Sequence, residues 1–463
     1  MEKKVSFLGS ISTLIFLVIT LAIGISFYDS DPHIPIFLAT GYAIVISLIN
    51  GFNYKEIEDA IYASIRKSLS SVLILIVIGI LIGVWLDTGV VATMIYYGLK
   101  LIKPSLFLVS CVLLSSIVSI ATGASWGTIA TIGVALMGVG YGLNMPPALT
   151  AGAIISGAYF GDKISPLSDT TNLAPAIVGS DVLSHIKFMF KPTFIAYSIS
   201  LIIFLIIGFR YSSSLSGDLG KVVLMQEKLS ELFNINIINL LPPIIVILLV
   251  IKKIPVLPGL TIGIVLAAII GLILQSNCNI GTIFTAGMNG FHCDSGMKEL
   301  DDLFNTGGLM NMMYSVSMVV LAMAFGGVME ESKQFHQIIE PIKKYINSNA
   351  KLIIFTEITC ILSNMLMPEQ YISVLIPGSL YIDEYKERNL HPLTLSNALE
   401  SSGTVSSPLI AWNTCGVYIS TTLGVSTFAY LPFCFFNLIM PILVAAMAIL
   451  NIHVIKYDNE ASS

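Results

Sequence analysis

Long apolar runs recur along most of the chain, each near the length that crosses a bilayer as a helix. About 20 apolar residues are needed to span the hydrocarbon core of a membrane. Runs close to this length occupy residues 7–27, 34–50, 71–90, 105–121, 188–208, 236–251, 257–275, 308–329, 352–367 and 428–450. This pattern predicts an all-α polytopic membrane protein.

Two regions, 122–186 and 368–427, break the apolar pattern. They are only weakly apolar and are rich in Gly, Pro, Ser, Thr and Asn, with scattered carboxylates. No charged residue occurs between Ser105 and Gly161. One span cannot accommodate so long an uncharged stretch, so we expect the chain to enter the membrane more than once there.

The two irregular regions resemble each other at a nearly constant spacing of 242 to 245 residues. The paired segments are Gly161–Leu167 with Gly403–Leu409, Asn144–Pro147 with Asn389–Pro392, and Gly83–Asp87 with Gly327–Glu331. Each match alone could be accidental, but three in the same order favour an internal repeat.

Loop charges predict how the two halves are oriented. The first half has Lys3 and Lys4 before its first run, Asp29 and Asp31 after it, and Lys55, Arg66 and Lys67 after the second. The second half reverses this order, with Lys252 and Lys253 in its first loop and Asp294, Glu299, Asp301 and Asp302 against Lys298 in its second. By the positive-inside rule the halves insert in opposite senses, although Lys100 and Lys103 do not fit this scheme.

We therefore predict two inverted structural repeats, each with a broken or re-entrant polar hairpin. The first covers residues 1–208, a linker covers 209–235, and the second covers 236–463. Many secondary transporters are built in this way. The alternative is that the matches and the charge pattern are both accidental.

Composition supports membrane embedding and limits the partners. Hydrophobic residues make up 55% of the chain and charged residues 11%, against about 25% charged in ordinary globular proteins. The net charge is -5 without a basic cluster, so we expect membrane lipid and no nucleic acid as partners. The run at 7–27 lacks a signal-peptide cleavage pattern, which favours a retained span over a leader.

The first polar loop carries a dense set of oxygen donors. Pro166 and Pro175 prevent a continuous helix there. The candidate ion- or substrate-binding residues are Asp162, Lys163, Ser165, Ser168, Asp169, Thr170, Thr171 and Asn172. Carboxylate, hydroxyl and amide oxygens are the ligands that alkali and alkaline-earth cations prefer. The alternative, an ordinary surface turn, fits poorly with the apolar surroundings.

The second polar loop repeats this composition. Its candidate residues are Glu400, Ser406, Ser407, Asn413 and Thr414. Brought together at a pseudo-twofold axis, the two loops would form one site at the middle of the membrane. Glu357 and Glu369 also lie in apolar surroundings, where an ionisable residue is by default a functional hypothesis. None of the six histidines falls in a predicted span.

The segments Gly161–Ala174, Ser401–Leu409 and Trp412–Gly416 resemble the NhaC-type sodium/proton antiporter family. Ala411 stands where the family pattern leads us to expect proline. The resemblance implies inverted repeats, two re-entrant hairpins, a homodimer and localisation in the bacterial cytoplasmic (inner) membrane. It also implies exchange of sodium ions for protons, and it includes relatives that exchange malate for lactate.

On this basis we expect a secondary transporter, without enzyme activity or a cofactor, whose cargo is the sodium ion. Asp162 and Asp169 would bind the ion with nearby hydroxyls, and Asp169 and Asn172 are the sodium ligands expected from the first loop. A carboxylate with little access to water readily holds a proton, which sodium would displace. Lys163 would balance the second carboxylate.

Three other functions are alternatives to the exchange of sodium for protons. A carrier of malate and lactate would lack arginine at its site, because Arg66, Arg210 and Arg388 all fall in predicted loops. An intramembrane aspartyl protease would need a glycine at the position of Tyr159 and a partner aspartate for Asp162. An ion channel fits less well, because paired loops with titratable groups suit a stepwise carrier.

Overall fold

The computed structural model describes residues 3–28, 30–215 and 219–457 of the chain. Asp29, which entered the charge pattern, and the side chains of Glu299 and Asp302 lie outside the described parts. The described residues form helices and no β-strand, apart from one isolated bridge between Leu390 and Lys456.

Within the described residues, the first half of the chain contains eleven α-helices. Their bounds are α1 Phe7–Tyr28, α2 His33–Ile49, α3 Tyr54–Lys67, α4 Leu69–Asp87, α5 Val90–Leu101, α6 Phe107–Thr122, α7 Ser125–Thr128, α8 Val134–Gly142, α9 Pro147–Ile164, α10 Asp169–Val178 and α11 Val182–Leu215. A π-helical turn at Ile129–Gly133 joins α7 to α8, so these two form one helical segment.

Between Leu219 and Tyr457, the described part of the second half contains thirteen further α-helices. Their bounds are α12 Leu219–Leu232, α13 Leu241–Ile251, α14 Val256–Leu274, α15 Ile280–Asn289, α16 Lys298–Phe304, α17 Leu309–Glu331, α18 Gln334–Lys343, α19 Asn349–Leu366, α20 Gln370–Glu387, α21 Pro392–Leu399, α22 Thr414–Leu423, α23 Thr427–Tyr430 and α24 Phe435–Ile449. A π-helical turn at Glu400–Thr404 extends α21.

Nine of the ten predicted apolar runs coincide with one helix each, and the run at 428–450 is divided between α23 and α24, with a bend of 58° at the break. Seven of the described helices are long and apolar enough to cross a membrane, and two bent pairs bring the number to as many as nine. Large apolar side chains on α1 and α2, such as Phe37 and Ile15, are exposed on the outside of the bundle, as expected where lipid is the solvent. The prediction of an all-α polytopic membrane protein is confirmed.

Helices α4 and α17 pack against each other in opposite directions. Lys67, which ends the helix before α4, forms an ion pair of 3.0 Å with Glu330 near the end of α17. At the other end of the contact, the backbone N–H of Gly308 donates to the carbonyl of Gly79 over 2.7 Å. The start of α4 therefore lies beside the end of α17, and the start of α17 lies beside the second half of α4.

Glycine permits two close approaches to this helix pair. A methyl group at Gly83 of α4 would overlap the backbone carbonyl of Ala286 in α15. A methyl group at Gly327 of α17 would overlap the carbonyl of Ala60 in α3 in the same way. Each long helix thus receives a shorter helix of the other half of the chain at a glycine.

Two asparagines turn the chain before proline-initiated helices. Asn144 has φ 55° and precedes α9, while Asn389 has φ 57° and precedes α21. Asparagine tolerates this left-handed conformation better than most residues, and proline is favoured in the first turn of a helix. After the turn at Asn144, α9 packs beside α6. A side chain at Gly157 of α9 would overlap the backbone of Val112 in α6.

Candidate functional site

The first polar loop is a real interruption between α9 and α10. α9 ends at Ile164, and the side chain of Ser168 caps α10 by accepting a hydrogen bond of 3.4 Å from the N–H of Thr171. The Thr171 hydroxyl donates to the carbonyls of Asp162 and Lys163, both over 3.0 Å. These contacts satisfy carbonyls that a helix end otherwise leaves without a partner.

Further side chains fix the shape of this break. The Asn172 amide donates to the carbonyl of Pro166 over 3.0 Å and to that of Ser168 over 2.6 Å. The Ser165 hydroxyl donates to the carbonyl of Ile120 in α6 over 2.8 Å. The loop is thus tied both to itself and to α6, which holds the end of α9 at a defined position.

An open cavity of about 970 Å³ reaches the break. Lys67, Lys253 and Glu330 line an exposed part of it, which we call the mouth. Three further carboxylates line it, those of Asp162, Asp169 and Glu369. No three acidic, histidine or cysteine side chains among the described residues lie close enough together to hold one metal ion.

Each cavity-lining carboxylate has a hydrogen-bond donor. Asp162 is 6% exposed and accepts a bond of 2.7 Å from the hydroxyl of Ser125, the first residue of α7. Glu369 caps α20 by accepting from the N–H groups of Tyr371 and Ile372 over 2.7 and 3.2 Å. The Tyr371 hydroxyl donates to Asp169, which is exposed, over 3.4 Å.

A second set of charges lies behind the cavity and does not line it. We call Lys163, Glu357 and Glu400 the sealed cluster; Lys163 and Glu400 are fully buried, and Glu357 is 3% exposed. Lys163 interacts electrostatically with both glutamates and donates to the hydroxyl of Ser401 over 3.1 Å. Within the described part of the chain, both carboxylate oxygens of Glu400 and one of Glu357 have no hydrogen-bond partner.

His185 corrects one expectation about the histidines. It is fully buried in α11, which is one of the helices long and apolar enough to cross a membrane. The apolar run at 188–208 begins after this residue, so the run alone underestimated the length of the helix. One ring nitrogen of His185 is 2.8 Å from the Ser396 hydroxyl of α21.

The second polar loop is held by side chains of α19. The Asn364 amide donates to the carbonyl of Gly403 and to the hydroxyl of Ser406 over 2.7 and 2.9 Å. Asn413 caps α22 and donates to the Asn364 side chain over 3.0 Å. The Ser407 hydroxyl donates to the carbonyl of Thr404 over 2.7 Å, so this loop too has a fixed shape.

The structure divides the candidate residues into three groups. Those lining the cavity are Asp162, Ser168, Asp169, Thr170 and Asn172; those in the sealed cluster are Lys163 and Glu400; and those that line neither are Ser165, Thr171, Ser406, Ser407, Asn413 and Thr414. The two loops meet where Lys163 contacts Ser401. The assignment of individual residues as ion ligands stays a prediction.

Sequence reasoning missed one partner and left two carboxylates unplaced. Ser125, the donor to Asp162, is not one of the candidates predicted from the sequence. It directly follows Ala124, which lies 245 residues before Glu369 and therefore pairs with Glu369 at the spacing of the repeat. Glu357 and Glu369 were singled out for their apolar surroundings but were not assigned to a cluster. The partners of Ser125 and Glu357 lie in other helices, so no local pattern reveals them, whereas Glu369 accepts from N–H groups of the helix that it caps.

Fold and site together define a class of protein. The chain is a polytopic helical membrane protein with charged side chains at two helix interruptions, one of which is reached from outside by a wide cavity. Interrupted helices at membrane depth are tolerated only where they are enclosed by protein or line a cavity, and in carriers they form the cargo site.

Comparison with known proteins identifies the family. A model of the Na+/H+ antiporter family matches residues 157–452. The Na+/H+ antiporter NhaC of Alkalihalophilus pseudofirmus is 36% identical over 93% of this chain and 93% of its own length. A malate-2H+/Na+-lactate antiporter of Bacillus subtilis is 37% identical over 90% of this chain and 89% of its own. An arginine/ornithine antiporter of Halobacterium salinarum, ArcD, is 34% identical over 100% and 95%.

The chain belongs to the Na+/H+ antiporter family, and it is a multi-pass protein of the cytoplasmic membrane. The resemblance to NhaC-type antiporters that the two polar loops indicated is thereby confirmed. The expectation of a homodimer stays a prediction.

Proposed function

We propose that this protein exchanges sodium ions for protons across the cytoplasmic membrane. The observation that carries the proposal is Asp162, a buried carboxylate at the end of an interrupted helix that nevertheless lines a cavity open to one side. A carboxylate in such surroundings gains most from a bound cation or a bound proton, because a bare buried charge is costly.

The proposed site is built around Asp162 and the hydroxyls beside it. Ser125 already donates to its carboxylate, and Ser168 and Thr170 line the same cavity. A dehydrated sodium ion would take oxygen ligands from this set, as hard cations do. Asp169 and Asn172 lie farther toward the open part, where they would meet the ion as it enters.

Inverted repeats with re-entrant hairpins remain part of the proposal. Three observations support them: the antiparallel contact of α4 with α17, the matching glycine contacts of these helices, and the matching turns at Asn144 and Asn389. Two halves related in this way can expose one central site alternately to the two sides of the membrane. The limits 1–208, 209–235 and 236–463 stay predictions.

The charges in the cavity favour a cation over an organic anion. Its deep part carries carboxylates, and its lysines lie at the mouth, where Lys67 is paired with Glu330. Lys163, the cation that a malate or lactate carboxylate would need, lies in the sealed cluster instead. In the deep part of the cavity, a carboxylate cargo would therefore meet acidic groups without a basic partner.

The test is transport by purified protein in liposomes that contain a pH-sensitive dye and carry an imposed proton gradient. We expect sodium added outside to dissipate the gradient, and an inactive Asp162→Asn protein to serve as the matched control. Malate, lactate, arginine and ornithine are added separately, because the cavity is also large enough for organic cargo. Gradient loss with an organic compound but not with sodium would overturn the proposal.

A further inference from the structure

The sealed cluster contains more negative charge than one lysine can neutralise. Glu357 of α19, Glu400 after α21 and Lys163 of α9 are all buried, and the lysine interacts with both glutamates. Two ionised carboxylates and one ammonium would leave a net charge of -1 inside the protein. Because an uncompensated buried charge is costly, the arrangement is stable with one proton added.

The hydrogen bonds around the cluster fit a shared proton. Three of the four glutamate oxygens accept no hydrogen bond of good geometry among the described residues, which is unusual for ionised carboxylates, and the hydroxyls next to Glu400 are those of Thr170 and Thr404. Lys163 faces both glutamates, and the other groups that face the cluster are Asp162, Thr170, His185, Cys360, Tyr385 and Thr404. Lys163 is the ammonium among them, and no second lysine or arginine of the described chain faces the glutamates.

The position of the cluster links it to the cavity. Asp162 and Lys163 are consecutive in α9, yet Asp162 lines the cavity and Lys163 belongs to the sealed cluster. Glu400 interacts with Asp162 as well as with Lys163. Thr170 lies beside Glu400 and also lines the cavity. Its hydroxyl can therefore pass a proton between the Glu400 carboxylate and water in the cavity.

We propose that the sealed cluster of Lys163, Glu357 and Glu400 is the proton-binding site of the carrier, separate from the sodium site at Asp162. Sodium bound at Asp162 places a positive charge close to the cluster. The proton then leaves a glutamate carboxyl oxygen for water in the cavity, and the carboxylate left behind is paired with Lys163. This inference rests on the proposed exchange of sodium for protons.

The experiment measures sodium binding and proton release together, on purified full-length protein in weakly buffered detergent solution. Wild-type protein is expected to release protons when sodium is added, and its apparent sodium affinity should change with pH by up to about tenfold per unit. Glu400→Gln and Glu357→Gln should still bind sodium, but at least one should lose the proton release and the pH dependence. Glu384→Gln, which removes a surface partner of Lys343, serves as the control and should match wild type.

Three results would overturn the proposal. The first is wild-type proton release in both glutamine variants, because the proton would then compete at Asp162 itself. The second is loss of sodium binding in both, because the cluster would then belong to the sodium site. The third is a wild-type protein that neither binds sodium nor exchanges it, and this result would refute the proposed function as well.

Discussion

The two groups of charges at the end of α9 differ in how their oxygens are satisfied. In the cavity, Asp162 accepts from a hydroxyl and Glu369 from two backbone N–H groups, and a phenol donates to Asp169. In the sealed cluster, the glutamates rely on Lys163 and leave three oxygens without a hydrogen bond. The cavity carboxylates have hydroxyl or N–H donors beside the space that an ion would enter, whereas the two sealed glutamates share one lysine and are balanced only with a proton.

Helix geometry explains how consecutive residues serve these two regions. Successive side chains of an α-helix point about 100° apart, because one turn contains about 3.6 residues. At the end of α9, this rotation sends Asp162 toward α7 and the cavity and Lys163 toward α21. α9 ends at Ile164, so its last turn lies between the cavity and the sealed cluster.

The largest expected effect separates the deep part of the cavity from its open part. Asp162→Asn removes a buried charge that has little access to water, so sodium-dependent exchange should fall by at least about a hundredfold, as for loss of one partner of a buried ion pair. Asp169→Asn changes an exposed carboxylate and should cost far less. Initial rates in proteoliposomes at saturating and limiting sodium measure both variants.

The same two variants can also show that the assignment of the ion site to the deep part of the cavity is wrong. Asparagine preserves the shape of each side chain, and the thermal stability of the detergent-solubilised proteins shows whether both fold. If Asp169→Asn abolishes exchange while Asp162→Asn retains it, the ion site lies in the open part of the cavity and not at the end of α9.

Chemical accessibility gives the next largest effect. Ser71→Cys places a thiol on the cavity wall, and Ser402→Cys places one in the buried turn after Glu400. Buried cysteines are unreactive, so a water-soluble maleimide should label the first at least about tenfold faster than the second. A Cys293→Ser background removes the native cysteine that is partly exposed. Equal labelling of the two sites would mean that the cluster is not sealed.

The sequence was sufficient for the fold class because bilayer burial imposes a strong local pattern. Nine of the ten predicted apolar runs coincide with one helix each, and both polar loops are interruptions between helices. The first loop also supplied the cavity residues from Asp162 to Asn172, because their oxygen donors are contiguous. In this loop, the side chains that carry the oxygen atoms are close in the sequence to the residues that interrupt the helix.

The division between cavity and sealed cluster could not be predicted from the sequence. Lys163 and Glu400 were placed with Asp162 in one site because composition does not show the direction in which a side chain points. Glu357 joins the cluster from α19, far away in the chain, and only tertiary packing determines that it faces Lys163. The sequence predicts that the hydroxyls of the second loop are ion ligands. In the structure, the Ser406 hydroxyl accepts a hydrogen bond from Asn364, and the Ser407 hydroxyl donates one to the carbonyl of Thr404.

The smallest expected effect concerns the ion pair at the mouth of the cavity. Lys67 and Glu330 are joined over 3.0 Å, but their side chains are 50% and 37% exposed. Pairs in such positions typically contribute between about 0 and 1 kcal/mol, so Lys67→Ala should change the melting temperature and the exchange rate only slightly. The effect should shrink further at high ionic strength, because salt screens exposed charges.

A charge reversal distinguishes a minor rim contact from an essential gate between α4 and α17. Lys67→Glu alone places two acidic groups together at the mouth, and adding Glu330→Lys restores the pair with the charges exchanged. We expect the double variant to exchange sodium at a rate close to wild type. A loss as large as that of Asp162→Asn in both the single and double variants would place an essential charge at the mouth. The contrast between the hydrogen-bonded carboxylates of the cavity and the sealed cluster, which needs a proton for balance, would then no longer account for the coupling by itself.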